Sequence, residues 1–213
     1  MDIIKKLAQE LTIKEEQAKA AVQLIDEGNT IPFIARYRKE MTGALNDETL
    51  RNLHERLLYL RNLEEKKEQV INAITEQGKM TDDLKKKILA AETLVAVDDL
   101  YRPYRPKKQT RATKAKEKGL EPLANILLLQ ATSKSMEEEA QSFVDEAKGV
   151  VNAKEALAGA KDIIAEMIAD KADYRKSIRN CTMKQGRLVV KAKDEKAESV
   201  YEMYYDFSEE LSK

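Results

Sequence analysis

The chain has 213 residues, 42% of them hydrophobic, and its 38 basic and 38 acidic side chains cancel. A chain this long buries roughly 70% of its unfolded surface and needs no covalent staple; its single cysteine, Cys181, excludes an internal disulfide framework and fits a reducing compartment. No apolar run approaches the ~20 residues of a membrane span, and the start, MDIIKKLAQEL, lacks the apolar core of a signal peptide.

These features read as a cytoplasmic protein with no membrane partner. Only seven glycines interrupt a composition rich in Ala, Leu, Glu and Lys, so helix is favoured throughout. Ile3, Ile4, Leu7 and Leu11 recur at helical spacing and predict a short first helix. Thr12 with Glu15 has the form of a capping box opening a second helix, which Gly28 ends. In TIPFIARYRKE, Thr30 can cap and Pro32 suits the first helical turn. That short helix buries Phe33, Ile34 and Tyr37 on one side and presents Arg36, Arg38 and Lys39 elsewhere. The plainer reading is a buried connector with a snorkelling Arg face.

Residues 46–77 hold no Gly or Pro, and Gly78 supplies a stop, which predicts a helix of about eight turns. Leu50, Leu53, Leu57, Leu60 and Leu63 stripe its first half, and Val70, Ile71 and Ile74 its end. Its middle, EEKKE, is polar all round and is expected to bridge solvent or to face another domain. His54 lies on this helix without a second His or a Cys nearby, as a rim residue does. Thr81 caps the next helix, with Leu84, Ile88 and Leu89 on its buried side; residues 93–100 form another.

The neutrality is uneven. Residues 101–119, YRPYRPKKQTRATKAKEKG, carry eight Lys/Arg against Glu117 alone, a net of +7, while residues 1–100 and 120–213 carry −3 and −4. Clustering sets the local field, so this tract is a candidate footprint for phosphate. Pro103 and Pro106 predict an extended, polyproline-like run from Tyr101. Thr110 can cap a cationic helix that Gly119 ends. The candidate phosphate contacts are Arg102, Arg105, Lys107, Lys108, Arg111 and Lys114, with Arg36 and Arg38 beside them. The plainer reading is a solvated connector anchored by its tyrosines.

Pro122 starts an apolar helix through Leu129. Ser135 with Glu138 and Asn152 with Glu155 are two further capping boxes, the first opening a helix through Phe143 and Val144, the second one through Ile168. A helix carrying Tyr174, Ile178 and Cys181 follows. After Gly186, RLVVKAK is the one convincing strand. Helix, short turn, helix and basic strand are compatible with a winged helix-turn-helix. Tyr201, Tyr204, Tyr205 and Phe207 form an aromatic cluster near the end.

The expected fold is mainly α: an elongated multi-helical scaffold with one long helix, a helix-turn-helix-like C-terminal part and a minor β-hairpin. Its expected domains are 1–130 and 131–213. No Gly-rich phosphate loop, GxSxG, HExxH or CxxC is present, so no catalytic residue, cofactor or metal is assigned. The pairs Asp82/Asp83 and Asp98/Asp99 read as caps or ion pairs, with a metal-dependent nuclease as the remote alternative.

Taken together, TIPFIARYRKE (30–40), DDLYRPYRPKKQTRATKAKEKGLEPLA (98–124) and YYDFSEELSK (204–213) resemble the N-terminal region of the Tex family of bacterial transcription accessory proteins. The family's eukaryotic counterpart is an elongation factor and histone chaperone. Arg102 departs from the pattern, which more often has an apolar residue there. The resemblance implies a helical scaffold, in proteins that continue with YqgF-like, helix-hairpin-helix and S1 domains, the S1 domain being the principal RNA or DNA binder. It implies that this chain is an N-terminal piece whose partners are nucleic acid, the transcription machinery and those remaining domains. The alternative is a non-catalytic protein-interaction scaffold whose basic loop docks an acidic protein surface or the rest of its own chain.

Overall fold

The computed structural model describes residues 2–106, 108–194 and 196–212. Among them are eleven α-helices, three short 3-10 turns and one two-stranded antiparallel sheet. The protein is thus mainly helical with a minor hairpin. Packing divides the chain into two compact units, Met1–Tyr101 and Arg102–Lys213, a division that falls ahead of residue 130.

The first unit begins with α1 (Ile3–Leu11) and α2 (Glu15–Asp26). Thr12 does not open α2. It ends α1 in the left-handed region (φ 54°), a conformation the chain needs there to turn and for which no glycine is at hand. Lys14 takes the N-cap position instead, its N–H donated to Gln17 Oε1 at 3.1 Å. After α3 (Ile31–Tyr37) comes the long helix α4 (Asp47–Glu76), 30 residues or about 45 Å. Asn46 caps it, accepting the Thr49 N–H at 2.7 Å. Leu50, Leu53, Leu57, Leu60 and Leu63 are all buried, packed with Leu7, Leu24 and Ile34 from the first three helices or, further along, covered by later ones.

The middle of α4 is not bare. Helices α5 (Asp82–Ala90) and α6 (Leu94–Tyr101) fold back over it, and Lys67, at its centre, is only 2% exposed. The Lys67 stem fills apolar space while Nζ donates to Glu64 Oε1 and to the Leu89 carbonyl at the end of α5, both at 2.9 Å. A long aliphatic stem with a charged head can satisfy both demands, and a cation suits a helix C-terminus. That is why the charge pattern alone misreads the segment. Of the side chains expected to bury on α5, Ile88 does so fully, and Leu89 stays half exposed.

The second unit packs α7 (Arg111–Glu117), α8 (Glu121–Leu129), α9 (Met136–Gln141) and α10 (Ala153–Ala169) around small side chains. Ala112, Ala115, Ala124, Ala140, Ala156 and Ala160 are buried with Leu120, Leu123 and Ile163. Both capping serine/asparagine residues act as expected: Ser135 accepts from the Glu138 N–H and Asn152 from the Glu155 N–H. Helix α9 ends at Gln141, however, short of Phe143. Leu129 and Ile168 are 74% and 49% exposed.

Helix α11 (Ala172–Gln185) follows α10 almost at once and has no buried residue. Then β1 (Arg187–Lys191) pairs antiparallel with β2 (Asp206–Glu210), Arg187 opposite Glu210 and Val190 opposite Phe207. Alternation puts Leu188, Val190 and Phe207 on one face of the hairpin. Its other face carries Arg187 with Glu210 (3.1 Å) and Lys191 opposite Asp206. No described helix is long and apolar enough to cross a membrane.

Candidate nucleic-acid interface

The basic tract is organised by Thr110. Its Oγ1 accepts the Thr113 N–H at 3.0 Å, capping α7, and its hydroxyl reaches Glu166 Oε2 on α10 at 2.9 Å. On either side of that bond an arginine meets the same helix. Arg102 Nε donates to Asp170 Oδ1 at 2.9 Å, and Arg111 Nη2 lies 3.4 Å from Asp162 Oδ1. Residues 162, 166 and 170 are four apart and therefore share one face of the helix and its C-cap. The cationic segment is laid along a carboxylate stripe.

Between them runs an open groove of about 570 Å³, with Arg102, Arg105, Lys108 and Arg111 on one side and Asp162, Glu166 and Asp170 on the other. Tyr101 and Arg102–Tyr104 are not extended, as the prolines suggested. Tyr101 closes α6, and Arg102–Tyr104 forms a 3-10 turn. Proline's fixed φ is compatible with a first helical turn, where its missing N–H costs nothing.

The predicted contacts thus fall into groups. Arg102, Arg105, Lys108 and Arg111 line one groove. Lys114 is exposed one turn along α7 from Arg111. Lys107 lies outside the described residues. Arg36 and Arg38 belong to the first unit, at the end of α3 and just after it. Lys116 and Lys118, also in the tract, bond within the second unit: Lys116 Nζ is 3.1 Å from Glu121, and Lys118 Nζ donates to the Gly149 carbonyl at 2.7 Å.

The electrostatic consequence is graded along the tract. Arg102 is half-covered and faces a carboxylate whose side chain is 11% exposed, so its charge is largely matched. Arg111 is 87% exposed despite its contact with Asp162. Lys108 and Lys114 are exposed and make no ion pair among the described residues. The positive field is therefore carried by 108–114 and not evenly by the whole stretch. Sequence reasoning missed the three acids. Their four-residue spacing was visible, but nothing local says that they meet a segment some 60 residues earlier.

The acidic pairs hold no cluster. Asp98 lies 3.6 Å from Lys66, and Asp99 is buried in α6. Among the described residues no group of three or more His, Cys, Asp or Glu is placed to hold a metal ion.

A helical protein with a charged groove and an exposed basic helix is a common class, and comparison with known proteins narrows it. A family model described as "Tex-like protein N-terminal domain" matches residues 1–75, and one described as "Tex central region-like" matches 131–213. The chain belongs to the Tex-like family. It is 42% identical over 210 residues to "Uncharacterized protein YdcI" of Bacillus subtilis, covering 97% of this chain and 29% of that protein. It is 51% identical over 144 residues to "Transcriptional accessory protein Tex" of Neisseria gonorrhoeae, covering 68% of this chain and 19% of that one. It is 30% identical over 185 residues to "S1 RNA-binding domain-containing protein 1" of Homo sapiens, covering 86% and 18%. The chain spans under a third of the length of these relatives.

Proposed function

We propose that this chain is a non-catalytic helical scaffold of a cytoplasmic transcription accessory factor, and that Lys108, Arg111 and Lys114 give it a basic surface for the phosphates of RNA or DNA. The observation that carries the reading is the contrast within the tract. Arg102 is matched by Asp170, while Lys108, Arg111 and Lys114 stay exposed within seven residues, Arg111 despite its contact with Asp162. Arg111 and Lys114, three apart, share one face of α7. The relatives' names, a transcriptional accessory protein and an S1 RNA-binding protein, support the same assignment. The order α10, short turn, α11, hairpin would supply a winged helix-turn-helix, a second route to the same ligand class.

The test is a fluorescence anisotropy titration of a labelled single-stranded RNA at low salt with wild-type chain and with Lys108→Ala/Arg111→Ala/Lys114→Ala. Losing three phosphate contacts should weaken binding at least about ten-fold. Equal affinities would remove the role. A second reading, a protein-interaction scaffold, is favoured by one specific feature: α11 buries nothing, and Ile178, Met183, Leu188 and Val189 are each more than half exposed. Charge reversal at Arg105 and Lys108 that abolishes protein association while RNA affinity stays unchanged would favour that reading.

A further inference from the structure

The end of α3 carries an arrangement that the groove does not use. Residues 36–39 read Arg-Tyr-Arg-Lys, three cations around one tyrosine. Tyr37 is 65% exposed, and its ring sits 5.3 Å from that of Phe33 at a 46° tilt. The Arg38 guanidinium lies over Phe33, 5.1 Å from the ring centre, and Nη1 donates to the Tyr37 carbonyl. One side of the aromatic pair is thus backed by a cation while the Tyr37 ring stays open.

The turn that follows is held with unusual care for a surface segment. Thr42 is fully buried, and both its N–H and its hydroxyl are donated to the Arg38 carbonyl, at 3.1 and 3.3 Å. Gln17 on α2 donates to the Gly43 carbonyl at 2.9 Å and to that of Thr42 at 3.3 Å. Gly43 has φ +60°, and a Cβ there would lie 2.7 Å from Gln17 Nε2, so a larger residue meets both strain and a clash. An open depression of about 650 Å³ is lined by Tyr37, Arg38, Lys39 and Met41, with Glu27 and Glu40 also on its wall.

We infer that this corner is a base-stacking platform for single-stranded nucleic acid, with Tyr37 receiving a base and Arg36 and Lys39 meeting the flanking phosphates. An exposed ring at the end of a helix, followed by an ordered turn, loses little conformational freedom on binding. Every base has a π-face, so the platform takes bases without regard to sequence, and neighbouring cations add the phosphate contact. A duplex, whose bases are already stacked, offers that ring nothing. The two glutamates keep the patch from being a general polyanion sink, which leaves stacking as the discriminating contact. The inference rests on reading the chain as a nucleic-acid binder but not on the groove of the second unit.

The experiment titrates the 213-residue chain, with Tyr37→Ala, Tyr37→Phe and the triple 108/111/114 variant, against labelled oligo(dT) and against a short labelled duplex at low salt. Tyr37→Ala should lower single-strand affinity about ten-fold with an unchanged salt slope, and Tyr37→Phe should keep it within about two-fold. Duplex affinity should not move in either. Tyr37→Ala binding oligo(dT) like wild type, or losing both probes equally, overturns the platform. If only the triple variant weakens binding, the groove stands and the platform falls; if only Tyr37→Ala does, the reverse holds. A wild-type chain that binds neither probe overturns both.

Discussion

The two units solve the same packing problem with different side chains. The first fills its interior with leucine and isoleucine from α1–α4 and ties its surface with two-pronged ion pairs, Arg56 to Glu10 and Arg61 to Asp26. The second brings its helices close on alanines and leaves α11 and the hairpin without a buried residue between them. Large side chains close a core on their own, whereas small ones let backbones approach but enclose little apolar surface. The first unit's core is therefore closed on its own, while the second keeps apolar and cationic surface along α11 and the hairpin available.

That contrast can be broken by substitution. Leu53, fully buried, is central to the first core, and Leu53→Ala should cost about 3 kcal/mol, read by denaturant unfolding. Lys67→Ala comes next. It removes the donor to Glu64 and to the Leu89 carbonyl, and should cost about 2 kcal/mol. A result near zero would mean that the α4–α5 junction is not held by that ammonium.

In the second unit the sensitive direction is growth, not truncation. A Cβ on Gly159 would lie 2.4 Å from Leu120 Cδ1 and 3.2 Å from Ala115 Cβ. Overpacking costs ~1–3 kcal/mol and the helix gain of Gly→Ala returns ~1. Leu120 and Ala115 are both buried, so any shift of the Leu120 side chain must be taken up by the core, and Gly159→Ala should lower stability by about 1 kcal/mol. A rise in thermal midpoint would show that this alanine core is looser than its contacts indicate.

The smallest effect is a pH dependence at Glu10 in the first unit. The hydrogen bonds from Arg56 hold Glu10 below the usual carboxylate range, against the opposing effect of burial. Its contribution is fully present above the unfolded value near ~4.3 and is lost as pH falls through the lower folded value. Glu10→Gln should therefore cost about 0.5 kcal/mol at neutral pH, and the gap to wild type should close in acid. A gap that widens in acid contradicts the assignment.

Much of the fold was legible because caps and breakers are local. Thr81, Thr110, Ser135 and Asn152 each cap a helix in the structure as their spacing indicated. Failures arose where a distant partner decided the outcome. Lys67 was buried by helices that return over it, and Arg102 was drawn to Asp170; Thr12 is the local exception, ending α1 in the left-handed region where it was expected to open α2. Strand β2, DFSEE, has little β-propensity of its own and pairs because β1 offers Val190 opposite Phe207 and Arg187 opposite Glu210. Of the candidate site, the cations were legible as charge density. Which of them α10 neutralises was not, since it depends on acids some 60 residues along the chain.

The most direct test is the salt dependence of RNA binding by the 213-residue chain. The phosphates engaged by Lys108, Arg111 and Lys114 should together contribute roughly −2 to the slope of log K against log salt on a single strand, a share lost in the triple variant. Neutralising the matched arginine by Arg102→Gln should leave that slope nearly unchanged. No binding at low salt, or a slope that drops as much for Arg102→Gln as for Lys108→Ala, would contradict it.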